Sequence, residues 1–324
     1  MVLDILLLVA GLVLILFGAD KLTDGASAIA RRWGVSDLVI GLTVVAFGTS
    51  APELVISVMS AINGSAGLAI GNVVGSNIFN VFVILGVTAL VKPIKVERSL
   101  LTKDIPLVVL SALALLAMGN SPFLDGSAES ILTRVDGIVL LLFFCIFMRH
   151  TFDSASGTDS DPGATRPDDP KQSMSMGKGC LWVFVGLAGL IGGGELFVDS
   201  ASSIASAMGV SDAVIGLTIV AAGTSLPELA TSVTAAVKGK PGIAIGNVIG
   251  SNIFNIFLVL GCASAIRELP FGDIGNFDLL AMTLASVLFW VFGTFFKKRT
   301  ITRAEGLLLT CCYIGYVGIL IARL

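Results

Sequence analysis

Apolar runs of roughly bilayer-crossing length alternate with short polar connections along the whole chain. Ten runs emerge at that length, over residues 2–30, 37–62, 67–91, 101–119 and 132–149, then 179–207, 212–237, 242–266, 277–296 and 304–323. A hydrocarbon core about 30 Å thick takes roughly 20 apolar residues per helix, so each run predicts one crossing. The runs are continuous rather than alternating, which argues against a transmembrane β-barrel. The first begins without a basic segment and is expected to be a span rather than a cleaved signal peptide. The pattern predicts an all-α polytopic membrane protein with ten transmembrane helices.

The second and third runs of each group of five are interrupted by polar residues and score weakly alone. A repeat supports them. Gly34–Leu90 aligns without gaps to Gly209–Ala265, and 36 of the 57 positions are identical. The identities include Thr49/Thr224, Ser50/Ser225, Pro52/Pro227, Glu53/Glu228, Ser76/Ser251 and Asn80/Asn255. Packing alone would preserve the apolar positions and let these polar ones drift. Five helices per half is an odd number, so the halves are expected to enter the membrane from opposite sides. Such an inverted pair places substrate near the midplane in secondary transporters. The expected organisation is a first five-helix repeat over 1–150, a polar linker over 151–178, and a second, inverted repeat over 179–324.

Charge adds an orientation. Under the ten-helix layout, 16 of the 20 basic residues fall on one side, among them Arg31, Arg32, Lys92, Lys95, Arg98, Lys178, Lys238, Lys240, Arg299 and Arg303. Basic loops stay cytoplasmic, so the 151–178 linker is expected inside and both termini outside, in a prokaryotic plasma (inner) membrane. Composition agrees: 55% hydrophobic residues with a mean hydropathy of +0.95 exceed what a soluble domain carries, and 13% charged residues fall short of it. The net charge of −3 and the absence of a basic tract give no reason to expect nucleic acid as a partner. The five cysteines lack metal-ligand spacing and read as reduced packing residues. A lone histidine, His150, builds no catalytic or metal centre, and no cofactor is expected.

The candidate chemistry lies in the repeats. Ala46, Thr49, Ser50 and Glu53 follow helical spacing, as do Ala221, Thr224, Ser225 and Glu228, which predicts one polar stripe per copy. Pro52 and Pro227 lack an N–H and release the carbonyls of Gly48 and Gly223. Asn72, Ser76 and Asn80, matched by Asn247, Ser251 and Asn255, add hydroxyl and amide oxygens from the next helix. An all-oxygen donor set suits a hard cation. Two inverted copies facing each other would surround ions with Glu53 and Glu228 at the centre. Ser and Thr in membrane helices often only satisfy their own backbone, but a carboxylate at mid-span costs at least a few kcal/mol and marks an ion or proton pathway. Asp20 and Asp24, with their counterparts Glu195 and Asp199, read instead as structural pairing near the membrane edge.

GTSAPEL with GNVVGSNIFN, and GTSLPEL with GNVIGSNIFN, resemble the α-repeats of sodium/calcium exchangers in the Ca²⁺:cation antiporter superfamily, most closely its short prokaryotic members. The resemblance covers both halves. It implies Na⁺/Ca²⁺ antiport by alternating access, with Ca²⁺ and Na⁺ as substrates and the lipid bilayer as surroundings, and with four central sites. Glu53 and Glu228 would be shared by both ions, and Thr49 and Thr224 would offer backbone and hydroxyl oxygens. Ser50, Ser225, Ser76 and Ser251, with the carbonyls of Ala46 and Ala221, would complete outer Na⁺ positions, and Asn80 and Asn255 would flank the middle one. Some prokaryotic members carry Asp where this chain has Asn255, so two central carboxylates remain here and the Na⁺:Ca²⁺ ratio stays open. A H⁺/Ca²⁺ or K⁺-dependent exchanger and a cation channel are the alternatives. Proton-coupled relatives typically have Asn-Ala where this chain has Thr-Ser, which favours Na⁺. An enzyme is not expected, because no suitably spaced dyad is present.

Overall fold

A computed structural model describes residues 2–124, 126–156, 174–208, 221–272, 274–295 and 299–323. The chain enters through α1 (Val2–Trp33), α2 (Asp37–Thr49), α3 (Ala51–Asn63), α4 (Ala66–Val91), α5 (Leu100–Met118) and α6 (Arg134–Ser156). It continues through α7 (Met176–Ala207), α8 (Leu226–Val237), α9 (Pro241–Ile266), α10 (Asn276–Phe295) and α11 (Arg303–Arg323). Eight of the described helices are long and apolar enough to cross a membrane, and α2 with α3 supplies a ninth if that broken pair counts as one span. The seventh expected run, 212–237, begins in residues outside the described ones. Much of the expected linker also lies outside them, although α6 extends to Ser156 and α7 starts at Met176.

Two compact units form. The first comprises Met1–Thr49 and Cys145–Asn247, the second Ser50–Phe144 and Val248–Leu324. Each therefore draws on both halves of the sequence repeat. Duplicated spans pack against each other's copies, so a boundary in sequence need not be a boundary in packing.

In the first unit α1 and α7 lie along one another over most of their length. Glycine makes this possible, as small residues do where membrane helices meet. A Cβ on Gly18 would stand 2.7 Å from the Gly186 carbonyl oxygen, and one on Gly186 would stand 2.5 Å from the Leu22 nitrogen. Asp20 and Asp24 are structurally paired, as expected, but chiefly to Lys238, whose ammonium lies 2.7 Å and 2.6 Å from their carboxylates. Lys21 adds a 3.0 Å contact to Asp20 and stacks over Trp182.

The second unit is closed at its ends by two short antiparallel ribbons. β1 (Ile94–Lys95), β2 (Ile131–Leu132), β3 (Leu269–Pro270) and β4 (Thr300–Ile301) pair as β1 with β4 and β2 with β3. α5 runs from β1 toward β2, and α10, packed on it, runs from β3 to β4. Hence α5 leaves the end of the unit at which α10 arrives. Thr133 with Asp136 and Thr302 with Glu305 cap the helices that follow the β2 and β4 turns, the acidic side chain accepting from the preceding threonine. All five cysteines are free, and Cys145, Cys180 and Cys311 are exposed rather than packed inside.

The helices are not uniform. Gly41–Val45, Asn80–Leu85, Leu100–Asp104 and Phe254–Leu260 are π-helical. In the third of these the Ile105 N–H reaches back to the Leu100 carbonyl, Pro106 has no N–H to offer, and the Leu101 carbonyl accepts the Trp290 indole N–H at 3.2 Å.

Gly186→Ala is expected to destabilise the protein by about 1–3 kcal/mol, since an added methyl meets backbone and forces two helices apart. Thermal unfolding in detergent checks this, with Gly177→Ala, where a Cβ meets nothing within 4 Å, as the control.

Candidate ion-binding site

The GTS-x-PE segment folds differently from one continuous stripe. α2 ends at Thr49, Ser50 takes φ −86° and ψ 8°, and Pro52 lies in the first turn of α3. A proline in a first turn sacrifices no helical hydrogen bond, so it starts a new helix rather than kinking an old one. Ala46 and Thr49 thus belong to the end of one helix and Glu53 to the beginning of the next. The second copy repeats this, with Ser225 at φ −93° and ψ 6° ahead of Pro227. Glu53 and Glu228 each sit in the first turn of a helix, where the backbone dipole favours negative charge. They are only 1% and 2% exposed.

Within the second unit α3 packs on α4 and on the C-terminal half of α9. Glu53, Ser76, Asn80, Ser251 and Asn255 are all buried here. Asn77 donates from Nδ2 to the Asn252 carbonyl at 3.4 Å and accepts from Asn255 Nδ2 at 3.1 Å. Asn80 and Asn255 fall in two of the four π-turns, Asn80–Leu85 and Phe254–Leu260, a distortion frequent at functional positions. Ser251 Oγ and the Oδ1 atoms of Asn80 and Asn255 are buried and have no hydrogen-bond partner among the described residues. Buried polar atoms are nearly always satisfied, so these three acceptor oxygens fit a bound cation. Asn72 donates from Nδ2 to Ser57 Oγ at 3.0 Å and to the Glu53 carbonyl at 3.4 Å.

Within the first unit α8 packs against Ala46–Thr49 and α1. Ala46, Thr49, Ser225 and Glu228 are buried and Thr224 is half-buried. Ala221 opens a single helical turn, Ala221–Gly223. Asn247 donates to Ser232 Oγ at 3.0 Å and to the Glu228 carbonyl at 3.3 Å. Its Oδ1 accepts the Thr49 hydroxyl at 3.1 Å. α2 and the start of α9 come into backbone contact, since a Cβ on Gly246 would lie 2.8 Å from the Leu38 carbonyl oxygen.

The sequence-predicted residues therefore fall into two clusters. Glu53, Ser50, Ser76, Ser251, Asn80 and Asn255 belong to the second unit, and Ala46, Thr49, Ala221, Thr224, Ser225 and Glu228 to the first. Ser57 and Ser232 escaped sequence reasoning, because one hydroxyl in an apolar helix is unremarkable. The repeat carried the signal, since both are serine at equivalent positions.

Helices long and apolar enough to cross a membrane, with buried carboxylates and neutral oxygens between them, are compatible with ion handling, and comparison with known proteins gives the class. The profile of the family described as "Sodium/calcium exchanger protein" matches residues 3–152 and 178–322, and the chain belongs to this family. It is 39% identical over 317 residues to the putative antiporter CaxA of Alkalimonas amylolytica, covering 94% of this chain and 95% of that one. It is 34% identical over 348 residues to the sodium/calcium exchanger MaX1 of Methanosarcina acetivorans, covering 98% of both. Among solved structures, the sodium-calcium exchanger NCX_Mj soaked with Na⁺ and Ca²⁺ superposes with a TM-score of 0.83 at 34% identity, covering 98% of each chain.

If the leftover oxygens take a cation, Ca²⁺ should raise the unfolding temperature of the purified protein. Binding at about 100 times the dissociation constant contributes about 2.7 kcal/mol. Ser251→Ala is expected to shrink the shift, and no shift with Ca²⁺ or Na⁺ relative to choline would count against cation binding.

Proposed function

We propose that the protein is a Na⁺/Ca²⁺ antiporter that works by alternating access, with Glu53 and Glu228 as the charged ligands of the transported ions. Thr49, Thr224, Ser50, Ser225, Ser76, Ser251, Asn80 and Asn255, with the carbonyls of Ala46 and Ala221, supply the neutral oxygens. The observation that carries this reading is the near-complete burial of two carboxylates in helix first turns, one of them in the unit where Ser251, Asn80 and Asn255 each leave an acceptor oxygen unsatisfied. Family membership supports the choice of ions.

Coupling follows from charge. An empty, ionised protein holds two buried negative charges, and moving apolar walls past them carries a large desolvation cost. One Ca²⁺ or at least two Na⁺ neutralise them. Exchange of conformation is therefore favoured in the loaded states, which makes an exchanger rather than a leak. Proteoliposomes loaded with Na⁺ should take up external Ca²⁺, and internal choline should stop the uptake. Glu53→Gln and Glu228→Gln should each abolish or severely reduce it while leaving a folded protein, because losing one charge roughly halves the attraction for a dication. Equal uptake with choline inside would point to a channel, and uptake driven only by a proton gradient to a proton exchanger.

We further propose that the two halves are inverted repeats. β1 and β3 are 175 residues apart, the spacing of the motif copies, and each pairs with the turn ahead of the other half's last helix. The equivalent helices α5 and α10 consequently run in opposite directions, which supports inversion. With the basic loops inside, the β1–β4 ribbon is cytoplasmic and the β2–β3 ribbon external. In a background without the native cysteines, Ser127→Cys should react with an impermeant thiol reagent on intact cells. Ser99→Cys should react only in inverted membranes, and the opposite pattern would reverse the orientation.

A further inference from the structure

Asn72 and Asn247 occupy the same position in the two copies and make the same pair of bonds. Each donates from Nδ2 to the carbonyl of the buried glutamate's own residue and to a serine hydroxyl one turn further along that helix. A backbone carbonyl only accepts, so this contact settles which end of the amide is the NH₂. For Asn247 the consequence extends further. Its Oδ1 must face Thr49 Oγ1, 3.1 Å away, and Thr49 must be the donor.

Thr49 has one hydroxyl proton and three acceptors in reach: Asn247 Oδ1, the Val45 carbonyl at 3.1 Å and the Ala46 carbonyl at 3.4 Å. If the proton goes to Asn247, the Ala46 carbonyl and the Thr49 lone pairs remain available to a cation. Without Asn247 the proton falls back on the helix's own carbonyls.

We propose that Asn247 is a positioning residue for ion binding, which holds Glu228 in place and draws the Thr49 proton away from the Ala46 carbonyl, so that Thr49 and Ala46 present oxygens to Na⁺. The proposal rests on the antiporter reading given above. Its signature is coupling to Thr49 rather than loss of structure.

The experiment measures equilibrium Na⁺ and Ca²⁺ binding to the purified full chain, with Na⁺-driven Ca²⁺ uptake alongside. Asn247→Ala should weaken apparent Na⁺ affinity about tenfold, the scale of one lost buried hydrogen bond, and keep the maximal rate within about threefold. On a Thr49→Val background the same substitution should cost little more, whereas on Thr49→Ser it should cost the full amount. If Asn247→Ala does not fold, Asn247→Ser, which cannot span the same three partners, takes its place with the same expectations. Unchanged Na⁺ affinity or full additivity with Thr49→Val would overturn the proposal. Those results alongside wild-type Na⁺-driven uptake and inactive Glu228→Gln would leave the antiporter reading standing, whereas absence of Na⁺-driven uptake in the wild type would remove that reading itself.

Discussion

A charge or polar group removed from water must find a replacement for the water, and this requirement organises the molecule. Glu53 and Glu228 are almost wholly buried, in a chain whose apolar runs leave little else to solvate them. Each lies in the first turn of a helix, where backbone N–H groups offer partial positive charge. Serine, threonine and asparagine oxygens are concentrated on the helices that pack with these turns. The glutamate helices are pinned from the next span by an asparagine that bonds backbone rather than carboxylate, which leaves the carboxylate oxygens uncommitted to that amide.

The backbone is distorted where this chemistry is concentrated. A regular α-helix commits every interior carbonyl to its own ladder and has little to give a cation. Here the ladder is interrupted by a break at Ser50, matched at Ser225, and by π-turns through Asn80 and Asn255. Elsewhere the lipid-facing spans have no such task. The Leu100–Asp104 turn has a different cause, a proline whose missing N–H leaves a carbonyl to be taken up by Trp290.

Much of this was legible in residue order. Apolar run length anticipated eight described spans and the broken ninth, because the thickness of a bilayer dictates length directly. The repeat singled out Glu53 and Glu228, because carboxylates persist in such surroundings only for a reason. What remained hidden was local geometry. Pro52 and Pro227 suggested a released carbonyl within one helix, yet each begins a helix instead, a distinction that depends on the backbone angles of the residue two positions earlier. Asp20 and Asp24 looked paired, but their main partner, Lys238, is more than 200 positions away in sequence. Ser57 and Ser232 carried no composition signal. Only their recurrence in both copies marked them.

The two ribbons also bear on how the protein is made. β1 cannot pair until β4 has been synthesised, 206 residues later, and β2 must wait for β3. Neither compact unit is continuous in sequence, so the helices of the first half, once inserted, have polar faces and glycine seams without their partners. Contacts so distant along the chain are slow to form and leave incomplete intermediates exposed. The membrane must therefore hold a half-built protein whose buried asparagines and glutamates are temporarily without the surfaces that will cover them. Assembly is completed late, by the last helices to arrive, and a ribosome that stalls after the first half leaves a product that can close neither unit.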